Sequence, residues 1–249
     1  MTNSNQQQIL FGTRAVLEAV IAGRPLQRIY IQNQLQNPLT EELKTKAREL
    51  QIPIQKVQRD FFDRFKDKNH QGVMAEAASV EYHDIENIVR STFEAGRLPL
   101  LLILDHIVDV RNFGAICRTA EIAGVDAIII PADGAAKINE DAVKTSAGAL
   151  NHIKLCRSQS LIQTLVYLKE SGVKIISASE KASKYIYDVE MNDPIAIMMG
   201  SEEKGISRVL LKYTDELVKI PQYGQIESLN VSVACGILLY ECIRQRHHL

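Results

Sequence analysis

Cysteine is scarce in this chain and badly spaced for metal or disulfide chemistry. The four residues, Cys117, Cys156, Cys235 and Cys242, form no C-x-x-C pair and have no histidine at finger spacing, so neither a zinc site nor a disulfide framework is suggested. Reduced thiols and a cytoplasmic location are expected. Long apolar runs are missing too. The longest, Val231 to Tyr240, includes Ser232 and is about half of what a bilayer-spanning helix needs, so no membrane partner is expected. Met1 to Gln8 is polar, without the basic head and apolar core of a signal peptide. An excess of one charge is also lacking. The net charge of −1 gives no global argument for a nucleic-acid partner, and no DNA is expected. Its distribution is mildly uneven, with net +3 over residues 1 to 80 and net −4 over the rest. No G-x-G-x-x-G follows an apolar run, and there is no Walker loop and no G-x-S-x-G elbow. These absences disfavour a dinucleotide site, a P-loop and hydrolase chemistry of the elbow type.

What is present is an ordinary globular composition, 46% apolar and 24% charged over 249 residues, with room for one large domain or a medium and a small one. From Ile9 to about Ala78 the patterns predict a small α/β unit. Ala15, Val16, Ala19 and Val20 recur at helical spacing within Gly12 to Ala22, and Leu26 to Ile31 reads as a strand. A charged amphipathic helix follows over Thr40 to Leu50, then a strand over Ile52 to Val57 that Pro53 confines to an edge. A helix with Phe61, Phe62 and Phe65 and a short strand at Gly72 to Ala75 complete it. Arg59, Arg64, Lys66 and Lys68 flank the phenylalanines, an interleaving that can grip RNA by phosphate contact and base stacking. The same rings equally suit a core. Val80 to Leu98 is more polar, with a connecting helix over Asp84 to Glu94, and the expected division is 1–80, a linker at 81–98, and 99–249.

Beyond that point strands and helices alternate. Leu100 to Leu104 reads as a strand covered on both faces. A helix over Phe113 to Ala123, a strand over Ala127 to Ile130, a helix over Glu140 to Leu150 and a strand over His152 to Leu155 follow. Ser160 to Glu170 is predicted helical, and Val173 to Ser177, Ile195 to Met199 and Glu216 to Ile220 are predicted strands. This alternation implies a mostly parallel sheet, whose ligands bind at the carboxyl ends of its strands. The closing helix, Leu229 to about Arg246, is apolar almost all round as far as Tyr240 and needs burial by the sheet and by a second subunit. Its tail, Arg244, Arg246, His247 and His248, suits a helix C-terminus.

Three stretches carry chemistry. In the first, Asp105-His106-Ile107-Val108-Asp109-Val110-Arg111-Asn112 leads into Cys117-Arg118-Thr119-Ala120. Asn112 can cap the helix, and Arg118 stands among apolar neighbours; a structural cap and a snorkelling side chain would fit as well. Asp105, His106 and Asp109 lack a fourth ligand, so no metal is expected. In the second, Gly200-Ser201-Glu202-Glu203-Lys204-Gly205 ends an apolar run, where Gly200 permits close backbone approach to a ligand and Gly205 a positive φ. In the third, Ile220-Pro221 leads to Ser228-Leu229-Asn230-Val231-Ser232. There Ser228 or Asn230 can cap the last helix, whose free N–H groups would stabilise a carboxylate or oxyanion.

Taken in order, Asn112-Phe113-Gly114-(x)3-Arg118-Thr119-Ala120, Gly200 to Gly205, and Ile220-Pro221-(x)6-Ser228-Leu229-Asn230-Val231-Ser232 resemble motifs one, two and three of the SpoU/TrmH (SPOUT) RNA ribose 2′-O-methyltransferases. The likeness spans residues 100 to 245, and Lys144-Thr145-Ser146-Ala147-Gly148-Ala149 is also similar to a family segment. Residues 9 to 78, beginning Phe11-Gly12-Thr13-Arg14-Ala15-Val16, resemble the L30e-like substrate-binding domain of the large-subunit rRNA subgroup. One departure is Arg111, where many relatives have proline.

The resemblance implies an α/β fold with a mostly parallel sheet, whose segment at about 175 to 235 threads into a trefoil knot, an arrangement almost absent elsewhere. It implies S-adenosylmethionine as methyl donor, held largely by backbone at Gly200, Ile220 and Leu229, with Ala178, Ile206 and Ser228 as further contacts. It implies transfer to a ribose 2′-hydroxyl of RNA, a guanosine of 23S rRNA, by a homodimer that completes each site across its interface. Arg118 would be the base and Asn112 would orient it. Glu202 would hold the knot loop or the Arg118 of a second subunit, and Ser228 and Asn230 would orient the substrate or the methionine moiety. A guanidinium has a pKa above about 12 and is a poor base unless desolvated, so a cationic Arg118 stabilising the forming alkoxide is an alternative. A tRNA ribose methyltransferase and a non-catalytic RNA-binding ribosome-assembly factor are the alternative functions.

Overall fold

The computed structural model of the chain describes residues 9–247 apart from Ser79, Lys137, Asn139 and Glu227; His248 and Met1–Gln8, considered above, lie outside the described residues. The chain divides into two units, Met1–Glu81 and Tyr82–Leu249.

The first unit contains β1 (Ile9–Phe11), α1 (Thr13–Ile21), β2 (Leu26–Gln32), α2 (Pro38–Glu49), β3 (Ile54–Val57) and β4 (Val73–Ala77). Its sheet runs β1-β4-β2-β3, with β3 at an edge as Pro53 foretold. α2 starts where Asn37 accepts the Thr40 N–H at 2.9 Å and Pro38 presets the first turn, each supplying what a helix start lacks. Val16, Val20, Leu43 and Ala47 of the helices bury against Ile29, Ile31 and Val73 of the sheet. The segment with the three phenylalanines is a 3-10 helix, Arg59–Phe65. Phe62 is core, at 2% exposure. Phe61 and Phe65 are half-buried under the Arg64 guanidinium, 4.3 and 5.1 Å from their ring centres. β1 carries no signal in the sequence, since three residues are too few to show a period.

The second unit contains β5 (Tyr82–His83), α3 (Ile85–Glu94), β6 (Leu100–Asp105), α4 (Val110–Ile122), β7 (Ala127–Pro131), α5 (Glu140–Thr145), β8 (Leu155–Ser158), α6 (Leu161–Glu170), β9 (Lys174–Ala178), β10 (Lys184–Tyr185), β11 (Ile195–Gly200), α7 (Arg208–Leu211), β12 (Glu216–Lys219) and α8 (Val231–Arg246). Its eight-stranded sheet runs β10-β12-β9-β11-β6-β7-β8-β5, and every pairing is parallel. All six residues of β6 are buried, as a central strand with helices on both faces requires.

Three expectations are corrected. Much of the stretch 81–98, expected as a linker, is built into this unit: β5 pairs with β8, and Ile88 and Val89 of α3 enter the main core. The strand expected at His152 to Leu155 lies at Leu155–Ser158. It was hidden because it carries polar residues: Arg157, 7% exposed, lies 3.6 Å over the Tyr82 ring, and the Ser158 and Thr164 hydroxyls are 2.8 Å apart. The helix expected over Glu140 to Leu150 stops at Thr145, before Ala147 and Gly148 at φ 51° and 87°, angles no α-helix contains.

Between β9 and β12 the chain makes an excursion. β11 enters the sheet between β9 and β6, β12 then adds on the far side of β9, and α8 returns to pack on α4 and β11. This path leaves the ends of β12, β9 and β11 neighbouring one another, and the loop after β11 reaches the start of α8.

Candidate active site

Gly200 closes β11 and is register-paired with Asp105, the last residue of β6. The chain then doubles back: Gly205 at φ 66° donates its N–H to the Ser201 carbonyl at 2.8 Å. A Cβ on Gly200 would stand 2.1 Å from the Gly205 carbonyl carbon and 2.2 Å from the Ile206 nitrogen. The requirement for glycine therefore comes from the loop's own return, rather than from the ligand approach that the sequence suggested.

The three motif stretches meet at the start of α8. Asn230 caps that helix, its Oδ1 accepting the Ser232 N–H at 3.0 Å. Its Nδ2 donates to Asn112 Oδ1 at 2.9 Å and to Glu202 Oε1 at 2.8 Å, and Glu202 Oε1 also accepts the Val231 N–H at 3.1 Å. Two assignments change here. Asn112 does not cap α4, because Asp109 does so by accepting the Asn112 N–H at 2.8 Å; the Asn112 side chain is thereby released to face Asn230. Glu202 sits on the N-terminus of α8, so the anion position read there is filled by the protein's own carboxylate.

Asp105, 1% exposed, ties the first motif to the second. Its Oδ2 accepts the Ser207 N–H at 2.7 Å and the Ser207 hydroxyl at 2.6 Å, and its Oδ1 contacts His106 Nδ1. One sequence signal points to this, a charged residue directly closing the apolar run Leu100 to Leu104. Among the described residues no group of three or more His, Cys, Asp and Glu side chains could hold a metal ion.

The Arg118 side chain is exposed and makes no hydrogen bond or ion pair with a described residue. Six residues beyond Asn112, it points roughly 120° away around α4 and lies about 9 Å along it. It shares its stripe with Arg111 and with Ile122, 62% exposed. Within the chain, then, Asn112, Glu202 and Asn230 converge while Arg118 faces elsewhere. Ser228 is exposed and Ile206 is buried in the core.

The residues assigned to the methyl donor fit such a ligand on two grounds. Ala178 and Gly200 end neighbouring strands β9 and β11, and Ile220 directly follows β12 on the other side of β9. Among the described residues, Gln222 to Ile226 and Leu229 are exposed and donate no backbone hydrogen bond to a described residue, so their N–H groups are open to a ligand. The helix interface itself is tight. Gly114 of α4 would bring a Cβ to 2.7 Å from Thr145, so the family-like segment at 144–149 packs directly on α4. Burial pushes the Cys117 thiol well above the ordinary range and holds Cys156 and Cys235 at about 12. None of these thiols is a nucleophile.

An all-parallel α/β sheet with this excursion and this convergence of side chains defines the class: a SPOUT-type methyltransferase. The chain belongs to the SpoU family of RNA 2′-O-ribose methyltransferases. The SpoU rRNA Methylase family matches residues 99–240, and the RNA 2′-O ribose methyltransferase substrate binding family matches residues 9–83. A Bacillus subtilis (strain 168) protein assigned to the TrmH family of tRNA/rRNA methyltransferases, YacO, is 33% identical over 244 residues, covering 98% of each chain. A Staphylococcus aureus (strain MSSA476) protein of the same family is 34% identical over 242 residues, covering 97% of this chain and 98% of its own. In fold, the chain resembles the SpoU methyltransferase AviRb of Streptomyces viridochromogenes, solved with AdoMet, at a TM-score of 0.59, 22% identity and coverage of 97% and 91%. It also resembles the A. aeolicus TrmH/SpoU tRNA modifying enzyme, at 0.56, 31% identity and coverage of 66% and 84%.

Proposed function

We propose that this chain transfers a methyl group from S-adenosylmethionine to the 2′-hydroxyl of a guanosine ribose in 23S rRNA. The observation that carries this is the meeting of Glu202, Asn112 and Asn230, drawn from three distant segments into hydrogen-bond contact, beside the ends of β9, β11 and β12. When bound, the donor supplies a methyl already activated on a sulfonium, so the protein's task is alignment and the handling of one proton. Gly200, Ile220 and Leu229, with Ala178, Ile206 and Ser228, hold the donor, chiefly through backbone. Asn230 orders the start of α8 and holds Asn112, and Ser228 and Asn230 face the substrate or the methionine moiety. Arg118 contributes a cation to the forming alkoxide. The excursion through β11 and β12 is threaded as the trefoil of the family.

The chain works as a homodimer. Two observations support this: Arg118 faces away from its own subunit's Asn112 cluster, and Ile122, Val233 and Tyr240 on α4 and α8 are 62%, 51% and 51% exposed, an apolar surface suited to a second copy. Its substrate-binding unit, residues 9–83, engages the RNA, and four free cysteines suit a cytoplasmic setting. A tRNA target is the second reading, favoured by the likeness to the A. aeolicus tRNA modifying enzyme. Mapping of 2′-O-methyl groups on ribosomal RNA and tRNA from a deletion strain tests both. Loss of one rRNA guanosine methylation is expected; loss of a tRNA methylation instead selects the second reading, and no loss in either RNA refutes both.

A further inference from the structure

The two faces of the sheet in the first unit are finished differently. One is buried under α1 and α2. On the other, Phe11 of β1, Met74 of β4 and Tyr30 of β2 stand in one register row, and the 3-10 helix Arg59–Phe65 lays its rings over them. Phe62 goes into the core there, but Phe61 stays half-buried. Its ring stacks on Tyr30, with 4.9 Å between ring centres and 22° between planes. The Arg64 guanidinium lies over that same Phe61 ring at 4.3 Å, and 5.1 Å from the ring centre of Phe65, which itself leans on Phe11 at 5.2 Å. Arg64 is the exposed member of this pile. Carboxylates are close in sequence and are engaged by other cations: Asp63 pairs with Lys66 at 3.6 Å and Asp67 with Lys68 at 3.2 Å. Arg64 makes no hydrogen bond or ion pair with a described residue, so its plane is set by rings while its N–H groups are left to solvent.

Shape and charge define what such a group can take. A planar cation backed by rings offers a flat surface for stacking and an edge of N–H donors for an anion. An unpaired nucleobase with its adjoining phosphate matches both, and splayed RNA bases stack on guanidinium planes as they do on aromatic rings. Because the rings already hold the side chain, less rotamer freedom is lost when the base arrives. We propose that Arg64 is a base-stacking contact for the RNA substrate: its guanidinium stacks on an unpaired nucleobase and its N–H edge takes the adjoining phosphate, with Phe61 and Phe65 as positioning residues. This assignment rests on the RNA-substrate reading above and names the place on the substrate-binding unit where an unpaired nucleotide is held. It gives Arg64 a part in holding RNA and none in the transfer of the methyl group.

The test uses the full-length protein, S-adenosylmethionine with a labelled methyl, and unmodified 23S rRNA and tRNA transcripts under single turnover, with the RNA concentration varied. Arg64→Ala raises the half-saturating RNA concentration by about fivefold or more, the low end of what stacking one base contributes. Its rate at saturating RNA stays within about twofold of wild type, and its calorimetric affinity for S-adenosylmethionine is unchanged, a split that general destabilisation would not give. Arg64→Lys keeps the charge without the plane and is as weak as Arg64→Ala. Phe61→Leu keeps the guanidinium but removes its support, and it too weakens RNA binding. Three outcomes overturn the assignment: Arg64→Ala weakened by less than fivefold, Arg64→Lys closer to wild type than to Arg64→Ala, which shows that a point charge suffices, or a loss seen in the saturated rate instead of the half-saturating concentration. A wild-type chain that retains neither transcript overturns the RNA-substrate reading itself, and this assignment with it.

Discussion

Gly200→Ala concentrates the argument in one methyl group. The added Cβ meets backbone, at 2.1 Å from the Gly205 carbonyl carbon and 2.2 Å from the Ile206 nitrogen, so no side-chain rotation relieves it. To reach ordinary contact beyond 3.4 Å, the loop must retreat by more than about 1 Å. Ile206 is buried in the core and Glu202 reaches from this loop to the cap of α8, so the retreat propagates to both. Overpacking of this kind costs about 1–3 kcal/mol, and a misplacement near 1 Å at a reacting centre costs about a hundredfold in rate. Urea denaturation, calorimetric titration of S-adenosylmethionine and methyl transfer to RNA measured on the same variant separate the effects. A folded protein destabilised by about 1–3 kcal/mol, with donor affinity at least tenfold weaker, is expected. A variant with wild-type midpoint and wild-type affinity would refute the claim that the loop's return shapes the donor site.

Other perturbations follow the same contacts. Glu202→Ala strips α8 of the carboxylate at its N-terminus and is expected to cost about 1 kcal/mol by denaturation; Glu202→Gln, which keeps the acceptor oxygen but not the charge, loses less. Because burial holds Cys156 and Cys235 at about 12, only about one thiol in ten thousand is ionised at pH 8. A thiol reagent should therefore label none of the four cysteines in the native protein and all of them in urea. Hydrogen bonding from Arg244, opposed by burial, holds the Glu241 carboxyl below its ordinary value of 4.5. The stability it contributes is present above that value and is lost as pH falls through the lower folded one. Glu241→Gln should flatten this part of an acid-denaturation curve measured by circular dichroism.

The central strands were legible because burial on both faces writes a continuous apolar run, as in Leu100 to Leu104 and Ile195 to Met199. β8 was misplaced because its polar residues are satisfied by partners on other elements, Tyr82 of β5 for Arg157 and Thr164 of α6 for Ser158, and periodicity cannot see partners. The stretch 81–98 looked like a connection because a two-residue strand such as β5 has no pattern of its own; only its pairing with β8 makes it part of the sheet. The motif residues were visible as a set through resemblance, but their roles were not. Asp109 and Asn112 both suit a helix cap, and the choice depends on Asn230, which lies 118 residues away in the sequence. Glu202 is expected to hold the knot loop or the Arg118 of a second subunit, and its place on the start of α8 shows only once that helix is set against it.

On the function proposed above, the three motif segments form one site that places an activated methyl on a ribose oxygen. The most direct measurement incubates the purified chain with methyl-labelled S-adenosylmethionine and unmodified 23S rRNA and tRNA transcripts, digests the RNA to nucleosides and identifies the labelled one. Label in 2′-O-methylguanosine, lost in Asn230→Ala, is the expected result. Label on a base, or label retained at full rate in Asn230→Ala, would contradict it.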